Sequence, residues 1–127
     1  MVLLNLSNLR KTWIIDVDGV IFAHNKYLGV KGMSEKPLPG VVKFMKKIDS
    51  KDYVIIITAR HERYRSLTQK LLKKNRIRYN LLLMEMPKGE RILINDKKPG
   101  GLKTAYAINL NRDSGTSKIK IKQSDIF

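Results

Sequence analysis

Two carboxylates two residues apart, Asp16 and Asp18, follow the apolar run Trp13-Ile14-Ile15 and precede Gly19-Val20. A buried strand that ends in paired acids places costly charges at its carboxyl edge. In an open parallel sheet that edge is where ligands bind. Carboxylate oxygens there can hold a hard cation such as Mg²⁺, and one carboxylate can attack an electrophile. The same residues also suit an ordinary strand followed by an acidic turn. Two later segments add chemistry: Thr58-Ala59-Arg60 after Tyr53-Val54-Ile55-Ile56-Ile57, and Asn95-Asp96 after Ile92-Leu93-Ile94. Acids, a hydroxyl and nearby cations are the parts of a phosphoryl-transfer site. A metal and a lysine there offset the charge that repels an anionic nucleophile.

These groups meet only if the segments before them are parallel strands. The sequence predicts strands at 13–16, 53–57, 80–84, 91–95 and 105–110. The run at 53–57 is continuous and β-branched, as in a strand covered on both faces. A helix opens at Pro39-Gly40, with Val41, Phe44, Met45 and Ile48 facing inward and Lys43, Lys46 and Lys47 outward. A second helix is expected over 62–75, with Tyr64, Leu67, Leu71 and Leu72 inward. Strands alternating with helices imply parallel pairing through crossovers. The expected fold is α/β: a three-layer Rossmann-like sandwich around a mainly parallel sheet of about five strands. Residues 19–36 read as a loop or small flap. The tail from about 114 is polar except for Ile119-Lys120-Ile121-Lys122, which fits an edge strand or a loose end.

The 127 residues suit one domain with one core. There is no cysteine, which removes disulfides and thiolate metal sites. Residues 1–6 are too short an apolar run for a signal sequence, and none approaches a membrane span. A cytoplasmic protein without a membrane partner is expected. The formal charge of +15, from 26 Lys and Arg against 11 Asp and Glu, attracts phosphorylated sugars, nucleic acid or acidic lipid. Aromatic residues are few and the charge is spread along the chain, so a stacking platform for single strands is not evident. The basic run Lys70, Lys73, Lys74, Arg76 and Arg78 suits a solvated helix face.

The segments Asp16-Val17-Asp18-Gly19-Val20, Ile57-Thr58-Ala59-Arg60, Lys88 and Ile94-Asn95-Asp96 together resemble the haloacid dehalogenase superfamily of phosphatases. The resemblance covers about residues 13–113. The stretch from Pro87 to Pro99 is similar to small members linked to capsule, lipopolysaccharide or sugar-phosphate metabolism. The phosphatase half of polynucleotide repair enzymes shares the same core. The gaps between the motifs leave no room for an inserted cap domain of ordinary size. The resemblance therefore implies an open, capless site, with a bulky substrate or a neighbouring subunit as lid.

By that resemblance Asp16 is the nucleophile and forms an aspartyl-phosphate. Asp18 protonates the leaving alcohol and then activates water. Thr58 holds a phosphoryl oxygen, and Lys88 reaches the nucleophile and phosphate. Lys97 and Arg91 are substitutes for that lysine, Arg91 the poorer one because it would begin a strand away from the cleft. Mg²⁺ would be held by Asp16, the backbone carbonyl of Asp18, and a side chain of Asn95 or Asp96. The first of that last pair is Asn95 where the family commonly has an acid. The amides of Val17 through Gly19 and of Ala59 would cradle the phosphate. Arg60 either touches substrate or pairs with Asp96, and its plainer role is a structural ion pair. Each residue also has a plainer role: Asp18 a turn residue, Thr58 a helix cap, Lys88 an exposed loop lysine, His24 and His61 solvated loop residues, Trp13 a core or strand-edge aromatic.

The expected function is Mg²⁺-dependent phosphomonoester hydrolysis, on a sugar phosphate or similar phosphorylated metabolite. A nucleic-acid 3′-phosphatase is the alternative enzyme. A non-catalytic binding or regulatory module on the same fold is the alternative from another class. A homo-oligomer is compatible with an open site.

Overall fold

The structure, a computed structural model, describes residues 1–24 and 36–124. In chain order its elements are β1 (Val2–Ser7), β2 (Thr12–Asp16), α1 (Val41–Lys47), β3 (Tyr53–Ile57), a 3₁₀ turn (Glu62–Tyr64), α2 (Arg65–Lys74), β4 (Leu81–Leu83) and β5 (Ile119–Ser124). This is a mixed α/β fold with few helices and two parallel sheets. One sheet has three strands in the order β2-β3-β4, and the other pairs β1 with β5. Most of the expected flap, residues 25–35, and the end of the tail, 125–127, lie outside the described residues.

β2, β3 and β4 are linked through α1 and α2, because parallel neighbours cannot be joined by a hairpin. The register places Asp16 opposite Ile57 and Ile57 opposite Leu83. The carboxyl ends of all three strands therefore share one edge. At the other end, buried Asp52 fixes how β2 enters the sheet. Its carboxylate accepts the Lys11 backbone N–H at 3.0 Å and the Trp13 indole N–H at 2.9 Å. The Trp13 ring meets Phe44 edge-on, 5.8 Å between centroids. Between β3 and β4, Asn80 accepts the Val54 N–H through its side chain at 2.7 Å and donates its own N–H to the Val54 carbonyl at 2.8 Å.

The helices bury the faces their spacing predicts, except that Leu67 is only half-buried and lies outside the core cluster. α1 contributes Val41, Phe44 and Met45, and Ile48 follows at its end; Lys43, Lys46 and Lys47 are exposed. α2 contributes Leu71 and Leu72, with Tyr64 half-buried against the core. These side chains join Val54 and Ile56 of β3 and Leu82 of β4 in one cluster, which also takes in Leu4 of β1 and Ile119 of β5. Gly115 lets the chain before β5 press against the entry to α1. A Cβ there would stand 2.1 Å from the Pro39 carbonyl oxygen, and its φ of +81° suits glycine alone.

Three of the five strands read from the sequence are present, at 12–16, 53–57 and 81–83. Two are corrected. Residues 91–95 form no strand: Ile92, Leu93 and Ile94 are 83%, 57% and 91% exposed, and the run has no neighbour to pair with. β-branched propensity expresses packing on a sheet, and without that packing it does not make a strand. Residues 105–110 also form no strand, although Ile108 and Leu110 keep their alternation and pack on the core. The Ile-Lys alternation at 119–122 does form a strand, and its partner is β1, which the sequence reading did not foresee. Among the described residues no helix is long and apolar enough to cross a membrane.

Candidate functional site

Asp16 is the last residue of β2, and its side chain is 32% exposed. Burial raises its pKa above the usual carboxylate range, opposed by Arg91 and the Val17 backbone N–H; Asp18 adds to the rise and His24 opposes it. The group is thus held in a partly desolvated place where a bound cation or a cationic side chain would favour its charged form. The cation found closest is Arg91, whose Nη2 lies 4.0 Å from Asp16 Oδ1. From the sequence Arg91 is the poorer candidate, because it is expected at the start of a strand away from the cleft. The strand does not form, and the guanidinium reaches the carboxylate instead.

After β2 the chain turns at once. The Val17 carbonyl accepts the N–H groups of Ile21 and Phe22 at 2.9 and 3.1 Å, and Gly19 donates its N–H to the Phe22 carbonyl at 2.7 Å. The Gly19 amide, expected to face a phosphate, is therefore engaged within the turn. Gly19 has φ +85°, and a Cβ on it would meet Arg112 Cγ at 3.2 Å. Asp113 closes this turn from the far end of the chain. Its N–H donates to the Gly19 carbonyl at 2.9 Å, and its Oδ1 accepts the His24 N–H at 2.7 Å. The turn-forming composition of Asn111-Arg112-Asp113-Ser114-Gly115 is the one local signal that bears on this contact.

Asp18 and Arg60 are bound to one another. Arg60 Nη2 donates to Asp18 Oδ1 at 2.7 Å and Arg60 Nε donates to Oδ2 at 2.9 Å, a two-point fork. Arg60 Nη1 donates to Thr68 Oγ1 of α2 at 2.9 Å. The Arg60 side chain is only 1% exposed. The pairing expected with Asp96 is corrected: Arg60 is held in a structural ion pair whose acid is Asp18, while Asp96 is exposed. Thr58 is fully buried at the end of β3, and its hydroxyl accepts the Arg60 N–H at 3.1 Å. Its backbone is tied to the next strand and the loop beyond it, by donation to the Leu83 carbonyl at 2.9 Å and acceptance from the Met86 N–H at 2.9 Å. Ala59 between them is half-buried. Asp16, Val17, Asp18, Gly19, Thr58, Ala59 and Arg60 are thus brought to one edge.

The remaining residues are held differently. Lys88, Asn95, Asp96 and Lys97 are all exposed. The Asn95 amide donates to the carbonyl and hydroxyl of Thr104 at 3.3 and 3.2 Å, and the Thr104 hydroxyl donates to the Asp96 carbonyl. The 95–104 loop closes on itself, and among the described residues no hydrogen bond or ion pair joins Asn95 or Asp96 to Asp16. Carboxylate oxygens at the edge suit a hard cation. Among the described residues, however, no three acidic or imidazole side chains gather as a metal-holding group. His24 and His61 are exposed, and His61 Nδ1 accepts the Arg63 N–H at 3.0 Å, a cap on the turn before α2. No protein-family model, curated protein or solved structure matches the chain.

Proposed function

We propose that the chain is a Mg²⁺-dependent phosphomonoester phosphatase that works through an aspartyl-phosphate on Asp16, with a sugar phosphate or similar metabolite as substrate. The observation that carries this is the placement of the half-buried Asp16 carboxylate at the carboxyl end of β2, beside Asp18 and one strand away from Thr58. An Asp16 oxygen bonds to phosphorus as the ester P–O bond breaks, and the leaving oxygen takes a proton from Asp18. Asp18 then removes a proton from water, which attacks the acyl phosphate, releases inorganic phosphate and restores Asp16. Asp18 must loosen one arm of the Arg60 fork to carry that proton.

Asn95 or Asp96, with Asp16 and the Asp18 carbonyl, would hold Mg²⁺, which would supply positive charge opposite the phosphoryl oxygens. The proposal needs these residues level with Asp16. Among the described residues, the outer edge of β2 pairs with no strand. Residues 91–95 laid parallel along it, with Ile92 beside Trp13, would set Asn95 beside Asp16, cover the exposed apolar run and extend the sheet toward the Rossmann-like arrangement. Arg91 would then leave Asp16, since it would stand level with Thr12.

The Arg60–Asp18 fork also favours a second reading, a non-catalytic module in which Asp18 is a structural anchor. Hydrolysis of p-nitrophenyl phosphate with added Mg²⁺ separates the two. The proposal expects turnover that Asp16→Asn reduces on the order of 10³-fold or more, with an unchanged circular dichroism spectrum. Retained turnover in that variant rejects Asp16 as nucleophile. A wild-type chain inert toward aryl phosphate, phosphosugars, nucleotides and oligonucleotide 3′-phosphates is the module.

A further inference from the structure

A cavity of about 340 Å³ opens between α1 and β5 with the residues just before it, and none of its lining residues belongs to the edge that carries Asp16. Its volume lies within the range of small-ligand sites, roughly 300–1,000 Å³. Three lysines stand around it: Lys43 and Lys47 from α1, and Lys120 from β5. Lys43 and Lys47 are four positions apart on one helix, so they occupy the same face about 6 Å from each other. All three are exposed, and among the described residues no acidic side chain lines the cavity. Like charges gathered without a counter-charge repel one another, and an anion seated among them relieves that repulsion.

The wall adds hydroxyl groups. Thr116 and Ser117 line the cavity; Ser117 is exposed, whereas Thr116, 5% exposed, keeps its Oγ1 buried in the wall with no hydrogen-bond partner among the described residues. Buried hydroxyls ordinarily find partners, so one left without is a feature to be explained. Three ammonium groups with three donors each, beside the exposed Ser117, match the several acceptor oxygens and near-double charge of a phosphate group. A lone carboxylate would engage fewer of them.

We propose that this cavity binds the phosphate group of a phosphorylated ligand, at a site separate from the Asp16 edge. The site stands whether or not the chain is a phosphatase. The group has two possible sources, a small free metabolite or the backbone of a nucleic acid strand, and the chain's charge of +15 suits both.

The test uses the full chain with two probes, inorganic pyrophosphate and a short single-stranded oligonucleotide, measured by calorimetry and by amide chemical shifts. The variant Lys43→Gln/Lys47→Gln/Lys120→Gln is compared with Lys51→Gln/Lys70→Gln/Lys73→Gln, which lowers the net charge equally with exposed lysines elsewhere. The first variant should lose about tenfold or more in affinity, the strength of a single charge-assisted contact, and the second should change by less than about twofold. Pyrophosphate should shift the amides of Gly40, Thr116 and Ser117. If the oligonucleotide loses affinity in the first variant and its salt slope becomes shallower by about 2, the source is a nucleic acid strand. If only pyrophosphate is affected, the source is a small metabolite. Equal losses in both variants, or unmoved amides at Gly40, Thr116 and Ser117, overturn the site.

Discussion

The two stretches that carry the candidate chemistry are built in opposite ways. At the ends of β2 and β3, three groups are fastened within the edge, Asp18 to Arg60, Arg60 to Thr68 and Thr58 to the Arg60 amide, while Asp16 faces Arg91 of the other stretch. Between 88 and 104 Asn95, Asp96 and Thr104 bond to one another, Arg91 reaches out to Asp16 at 4.0 Å, and Ile92, Leu93 and Ile94 face solvent. The first stretch can hold a geometry to within fractions of an ångström. The second can change place at little cost, because moving it breaks few contacts with the core. A site assembled from both would be rigid on its nucleophile side and adjustable on its cation side.

Substitutions should divide along this line. The largest effect on stability is expected at Arg60. Arg60→Leu leaves Asp18 without its fork and Thr68 without a donor, and should cost about 3 kcal/mol in urea unfolding, as for other buried pairs that lose one member. A loss below about 1 kcal/mol would place the fork among dispensable ion pairs. Lys88→Ala should do the reverse. Turnover of aryl phosphate should fall about 100-fold, the scale of one lost electrostatic contact to the transition state, while the urea midpoint stays put. Unchanged turnover would remove Lys88 from the site and leave Arg91 or Lys97.

A smaller effect concerns Asp16 and pH. Its pKa is raised in the folded chain, chiefly by burial, so the folded state holds the proton more tightly than the unfolded state does. The sign follows: this group favours folding most at acid pH, and its contribution declines as pH rises through the ordinary carboxylate range to the raised value. Asp16→Asn should therefore be as stable as wild type at acid pH and more stable at neutral pH, as read from Tm against pH. A variant less stable at neutral pH would mean that Arg91 outweighs burial. The smallest effect is expected at Ile94. Ile94→Ser should change stability by less than about 0.5 kcal/mol, since the side chain is 91% exposed. A loss of more than about 1 kcal/mol would show that 91–95 already lies against β2 in solution.

What could be read from the chain follows the range of the forces involved. α1 and α2 announce themselves through apolar residues three and four apart, and β3 through a run of β-branched residues; both signals are local. Asp16, Asp18, Thr58 and Arg60 were legible because each stands directly after such a run. The fork between Asp18 and Arg60, the approach of Arg91 to Asp16, and the closure of the Gly19 turn by Asp113 were not, since each joins residues distant in sequence through side-chain reach. Ile92-Leu93-Ile94 misled for the opposite reason. Its local signal is as strong as that of β3, yet no packed neighbour covers it in the structure.

The pairing of β1 with β5 bears on the order in which the molecule forms. Leu3 is aligned with Lys120, so this ladder closes nearly the whole chain into one loop. Closing a loop of that length costs entropy that local contacts cannot offset, and such pairings form slowly. On the ribosome, Val2–Ser7 must wait for almost all of the chain to be synthesised before its partner exists. The β2-β3-β4 unit, whose neighbours lie close in sequence, can be complete well before then.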